Sequence, residues 1–124
     1  MPLYTVITED GSLTNPVKAR IAEEITRIHS TVMKVPTAFV RVAFISYSKG
    51  SGYTAGQEAP IAALNCVLRS GHAVEEKTDM LRQLWSMFQG LTRVATDHLA
   101  ISLQEIPSSN AMEFGQIMQD VGHK

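Results

Sequence analysis

Four residues have side chains or a backbone group suited to acid/base chemistry or to holding a carboxylate: Pro2, His29, Arg69 and Glu113. Pro2 follows a methionine, and a residue this small usually lets the initiator methionine be removed, which leaves a secondary amine at the chain start. An α-amino group titrates at about 7.7–8.0 in peptides, and burial disfavours its cation, so such an amine can act as a general base near neutral pH. Position alone leaves the alternative open that Pro2 merely follows the start; a retained Met1 acylates the nitrogen and removes its basicity. Arg69 ends an apolar stretch directly before Ser70, Gly71 and His72. There a guanidinium either grips a carboxylate through two parallel hydrogen bonds or forms a surface ion pair. His29 follows Ile28 in an amphipathic stretch and reads as a ligand group or as a helix-surface or core-edge histidine. Glu113 lies between Met112 and Phe114, where apolar surroundings raise a carboxylate's basicity unless it is the exposed side of a short helix.

The elements that must position these groups repeat. Pro2 to Thr8 is β-branched and aromatic and stops at the turn-forming run Glu9 to Ser12, which predicts a strand. With Thr14 or Asn15 as N-cap and Pro16 in the first turn, Val17, Ile21, Ile25, Ile28 and Val32 recur at helical spacing. That helix ends near Lys34, before Pro36. Phe39 to Tyr47 reads as a second strand and Ser48 to Gln57, with three glycines, as a flexible loop. The order then recurs: a strand over Ile61 to Arg69, a helix facing inward with Leu81, Leu84, Trp85, Phe88 and Leu91, and a strand over His98 to Ile106. The starts are offset by a constant 59 residues. Such a period points to a duplicated β-α-β unit, residues 2–47 and 61–106, each with a right-handed crossover. The expected fold is α+β: one four-stranded mixed sheet with both helices on one face. The other face has no cover of its own, which predicts an oligomer. Residues 107–124 fall outside this duplication, and Ser108, Ser109 or Asn110 can cap a short helix through Met112, Phe114, Ile117 and Met118.

Composition narrows the function classes. The chain holds 124 residues with 44% apolar and 19% charged residues and a net charge of −1, which suits one folded domain over residues 1–124. That charge gives no bulk attraction to nucleic acid or anionic lipid. Cys66 is a single cysteine, and His29, His72, His98 and His123 have no metal-ligand spacing. No apolar run reaches the roughly 18 residues of a membrane span, so a cytoplasmic protein is the expectation.

The duplicated β-α-β order, Pro2 opening the first strand, LT before a helix that closes with His29, LRSGH after the third strand and the EIPSSNAMEFG tail resemble the tautomerase superfamily. The likeness covers nearly the whole chain and is nearest to the cis-3-chloroacrylic acid dehalogenase branch. The resemblance implies a homotrimer with no cofactor or metal and a small carboxylate substrate. It casts Pro2 as the catalytic acid or base, His29 and Arg69 as carboxylate binders and Glu113 as the group that activates water. Two positions depart: His72 stands where the dehalogenases carry a second arginine, and Ser102 where they carry a tyrosine. A clamp of Arg69, His29 and His72 is weaker and pH-dependent, and Ser102 lacks the water-orienting phenol. The implied activity is therefore tautomerisation of a 2-oxo or enol acid such as phenylenolpyruvate, with weak hydratase or dehalogenase activity. A non-catalytic binding homologue with capped Pro2 is the alternative expectation.

Overall fold

A computed structural model describes residues 2–119. Its main layer is a four-stranded sheet in the order β2-β1-β5-β6, from β1 (Leu3–Glu9), β2 (Arg41–Tyr47), β5 (Ala62–Arg69) and β6 (Leu99–Ile106). The pairs β1–β2 and β5–β6 are parallel and the central pair β1–β5 is antiparallel. Each parallel pair is joined by one helix, α1 (Asn15–Met33) or α2 (Val74–Thr92). The sheet is mixed because two parallel β-α-β units meet back to back.

Local chemistry sets the helix ends. The Thr14 side chain accepts from the Val17 N–H at 3.3 Å and Pro16 occupies the first turn of α1. In α2 the Ala73 N–H donates to Glu76 Oε1 at 3.1 Å, and Glu75 and Glu76 complement the positive helix start. Both helices stop on a left-handed residue, Lys34 and Arg93, each at φ 60° and 59 positions apart.

One face of the sheet is the core. Tyr4, Val6, Leu64, Cys66 and Leu68 pack against Ile21, Ile25 and Ile28 of α1 and Met80, Leu84 and Phe88 of α2, all buried. The stripe of α2 is rotated from the expected one: Met80 is fully buried, whereas Leu81, Trp85 and Leu91 are half-buried. The opposite face is open in the described chain. Leu3, Ile7 and Ile45 are exposed there, and the rows Arg41-Leu3-Val67-Gln104 and Ala43-Thr5-Asn65-Ser102 cross it.

Three further sequence expectations are corrected. Residues 48–57 are more ordered than a flexible loop: β3 (Tyr53–Thr54) pairs with β4 (Gln57–Glu58) across Ala55 and Gly56, both at positive φ. The tail is not a helix. After a short turn over Ser108–Asn110, β7 (Met112–Glu113) pairs with β8 (Gln116–Ile117) across Phe114 (φ 56°) and Gly115 (φ 73°). Two successive positive φ values make the tight turn that matches strand twist, and glycine at the second position lowers its cost. The apolar spacing imitated a helix, yet Met112, Phe114 and Ile117 stay exposed and no helical face is buried.

Third, the tail is inside the duplication, since the hairpins at 53–58 and 112–117 are themselves 59 residues apart. The first strands alone break this spacing. Tyr4 pairs with Val42 and Leu64 with Ile101, which sets β1 against β5 at an offset of 60. The connection from β5 to α2 is one residue shorter.

The loop after β2 is closed by Tyr47. Its hydroxyl donates to the Ile61 carbonyl at 3.0 Å and accepts the Ile61 N–H at 2.7 Å. A Cβ on Gly52 lies 2.6 Å from that hydroxyl and 2.7 Å from the Ala59 carbonyl. Gly52→Ala is therefore expected to cost about 1–3 kcal/mol in chemical denaturation, as overpacking does.

Candidate active site

Strand alternation puts Pro2 on the helix side of the sheet with Tyr4, and Pro2 is buried there. Its carbonyl accepts the Arg41 N–H at 3.0 Å, which ties the chain start to the head of β2. His29, in the last turns of α1, is 1% exposed. Its Nδ1 lies 2.7 Å from the Tyr4 hydroxyl, with the two rings edge to face. Burial, with His72 as a lesser cause, lowers the His29 pKa to about 4, so the ring is neutral near pH 7.

The tautomer follows. Burial holds the Tyr4 phenol far above its usual range, so it keeps its proton. Its other neighbours are the Met80 sulfur at 3.5 Å and the Cys66 sulfur, both weak acceptors. The hydroxyl therefore donates to Nδ1, and the ring proton sits on Nε2. Nε2 has no hydrogen-bond partner among the described residues and is the neutral donor left for a ligand. Tyr4 was missed by the sequence reading; the signal available was its i,i+2 relation to Pro2.

Arg69 closes β5 at the same end of the sheet. Its Nη1 donates to the Gln119 carbonyl at 2.7 Å, and its Nε lies 4.0 Å from Glu113 Oε2. The tail hairpin thus carries Glu113 to Arg69, 44 positions earlier in the chain. His72 is half-buried, with its pKa lowered chiefly by burial; Glu76 and Glu105 oppose the shift, and Lys77 and Arg69 add to it. Glu105, also unforeseen, pairs with Lys77 Nζ at 2.8 Å, a contact that holds its carboxyl below the usual range, and its Oε2 is buried without a partner. Ser102 stands apart: it lies on the open face and its hydroxyl donates to Asn65 Oδ1 at 2.7 Å. Within one chain the structure groups Pro2, His29, Arg69, His72 and Glu113 at one end and leaves Ser102 in mid-sheet. Among the described residues no cluster of metal-ligating side chains occurs, and no helix is long and apolar enough to cross a membrane.

A duplicated β-α-β layer with acid/base groups at the head of its first strand is the architecture of the tautomerase fold. The family model Tautomerase_3, described as oxalocrotonate tautomerase enzyme, matches residues 1–111, and the chain belongs to that family. The native Ps01740 crystal structure superposes with a TM-score of 0.87 at 31% identity, over 90% of this chain and 99% of that one. N1, a member of the cis-3-chloroacrylic acid dehalogenase family, gives 0.89 at 28% identity, over 97% of this chain and 85% of that one. A fused 4-OT wild-type symmetric trimer shares the fold at a TM-score of 0.84 and 20% identity, over 94% of each chain. No curated protein matches the sequence.

Proposed function

We propose that the protein is a cofactor-independent tautomerase of small 2-oxo or enol carboxylic acids, with the amine of Pro2, freed of Met1, as its acid/base. The observation that carries this reading is the convergence of buried Pro2, neutral His29 and the Arg69–Glu113 pair at one end of the sheet. Arg69 takes the substrate carboxylate, which displaces the Gln119 carbonyl, and the His29 Nε2–H and His72 add donors. For an enol such as phenylenolpyruvate, the neutral Pro2 nitrogen takes the hydroxyl proton as the carbonyl forms. The electron pair of the carbon–carbon double bond then takes that proton back from the Pro2 cation at C3. No proton or electron is left over.

Glu113 supports a weaker second activity, addition of water to an activated alkene or alkyne acid. Its carboxylate takes a proton from water, the oxygen bonds to C3, and a cationic Pro2 protonates C2. The fused 4-OT neighbour is a trimer, and the exposed Leu3, Ile7 and Ile45 give this chain an apolar face for the same assembly. A homotrimer brings Ser102, on that face, against another subunit.

The test is intact mass followed by phenylenolpyruvate ketonisation on one sample. A mass without methionine, with turnover lost in Pro2→Ala, is the expected result. A retained methionine with no turnover refutes the enzyme and leaves a binding homologue.

A further inference from the structure

The duplication leaves a second opening at the far end of the sheet, and the structure keeps it as a cavity of about 270 Å³ between the end of β1, the start of β5 and the end of α2. The strand offset of 60 and the helix offset of 59 place it as the internal twin of the Pro2 site. Its lining then reads as a substituted copy. Ala62 stands where the first site has Pro2, Phe88 where it has His29, and Glu9 where it has Arg69. The base, the neutral imidazole donor and the carboxylate anchor are all replaced, yet the space between them persists.

We infer that this twin opening is a binding site for a ring-sized apolar molecule that carries a hydroxyl or amine donor and no carboxylate. Three features select that class. The wall is mostly apolar, with Leu13, Ile61, Ala62, Phe88 and Val94 beside a few polar groups, and an apolar cavity of about 150 Å³ holds a benzene ring. The volume therefore takes one substituted ring and not a long chain. The anchor is inverted: Glu9 accepts hydrogen bonds and repels a carboxylate where Arg69 would attract one. Arg93 also lines the cavity, but Lys34 occupies its place in the first site, so it does not distinguish the two. The difference in charge between the openings comes from Glu9 and Arg69. With neither a chain-start amine nor a thiol in its wall, the twin site is assigned to binding.

The matched pair 4-methylphenol and 4-methylbenzoate tests this, because the two differ only in the polar group. Each is titrated into the full-length, methyl-labelled protein and followed by NMR. The phenol is expected to shift the methyls of Leu13, Ile61 and Val94 saturably, and the benzoate is expected to leave them in place. Thr92→Trp fills the opening from its rim and is expected to weaken the phenol by about tenfold or more, with ketonisation turnover unchanged. Glu9→Gln keeps the volume and is expected to narrow the preference for phenol over benzoate. The inference is overturned if the phenol moves none of these methyls up to its solubility limit. It is equally overturned if both compounds move them alike, or if Thr92→Trp binds the phenol as tightly as the parent. Every outcome that overturns the inference is read from binding alone, and none of those needs the Pro2 site to turn over substrate.

Discussion

Arg69→Ala is expected to lower kcat/KM for phenylenolpyruvate by about 100- to 10,000-fold, because charge-assisted hydrogen bonds to an ionised partner contribute about 1.5–3 kcal/mol each and a bidentate grip loses two. The carboxylate is held equally before and during proton transfer, so most of the loss belongs in KM. Arg69→Lys keeps the charge without the planar fork and is expected to recover part of it. The loss has a second component. The Arg69 guanidinium faces Glu113 at 4.0 Å, and its removal changes the field on that carboxylate, so hydration should fall differently from ketonisation. Arg93→Ala, at the twin opening, is the control and should leave both rates intact. Steady-state kinetics on the four proteins decides the matter: an unchanged KM in Arg69→Ala removes the carboxylate anchor.

The helices and the long strands were legible because each carries one uninterrupted period. Thr14 and Pro16 mark one helix start, Pro36 follows its end, and the 59-residue offset ties the halves together. What failed was short. Tyr53 to Glu58 and Met112 to Ile117 are hairpins of two residues per strand, too brief for alternation to register. Only Ala55-Gly56 and Phe114-Gly115 betray them, and an alanine or phenylalanine at positive φ is not a turn signal. Of the candidate site, Pro2, His29, Arg69 and Glu113 each had a bland alternative by chemical type alone, the resemblance to the tautomerase superfamily implied their roles, and the sheet and the tail hairpin bring them to one end. Tyr4 and Glu105 could not, since their parts come from a 2.7 Å contact with Nδ1 and a 2.8 Å contact with Lys77 that no spacing encodes. The twin opening was hidden for a related reason. A missing residue between β5 and α2 shifts the first-strand offset from 59 to 60, and without the sheet register Pro2 aligns with Ile61 instead of Ala62.

Stability is expected to drop by about 2 kcal/mol between pH 7 and pH 4.5 through His29 alone. The folded ring titrates at about 4, chiefly because burial penalises its cation, whereas an unfolded histidine titrates at about 6.5. Above pH 6.5 both states are neutral and nothing is lost. As the pH falls toward 4 the unfolded chain binds the proton first, so unfolding is progressively favoured, and below 4 the difference is constant. His72 is shifted in the same direction by its own burial and adds to the slope. His29→Phe removes the titration and installs the side chain that the second half already buries at the equivalent position, Phe88. That variant leaves the Tyr4 hydroxyl without its acceptor and should be less stable at pH 7, yet its denaturation midpoint should vary less between pH 7 and pH 4.5 than that of the parent. A parent midpoint that is flat over this interval, or a variant with the same slope as the parent, would show that His29 is not buried neutral. The neutral Nε2–H donor assigned to the substrate carboxylate would then be lost with it.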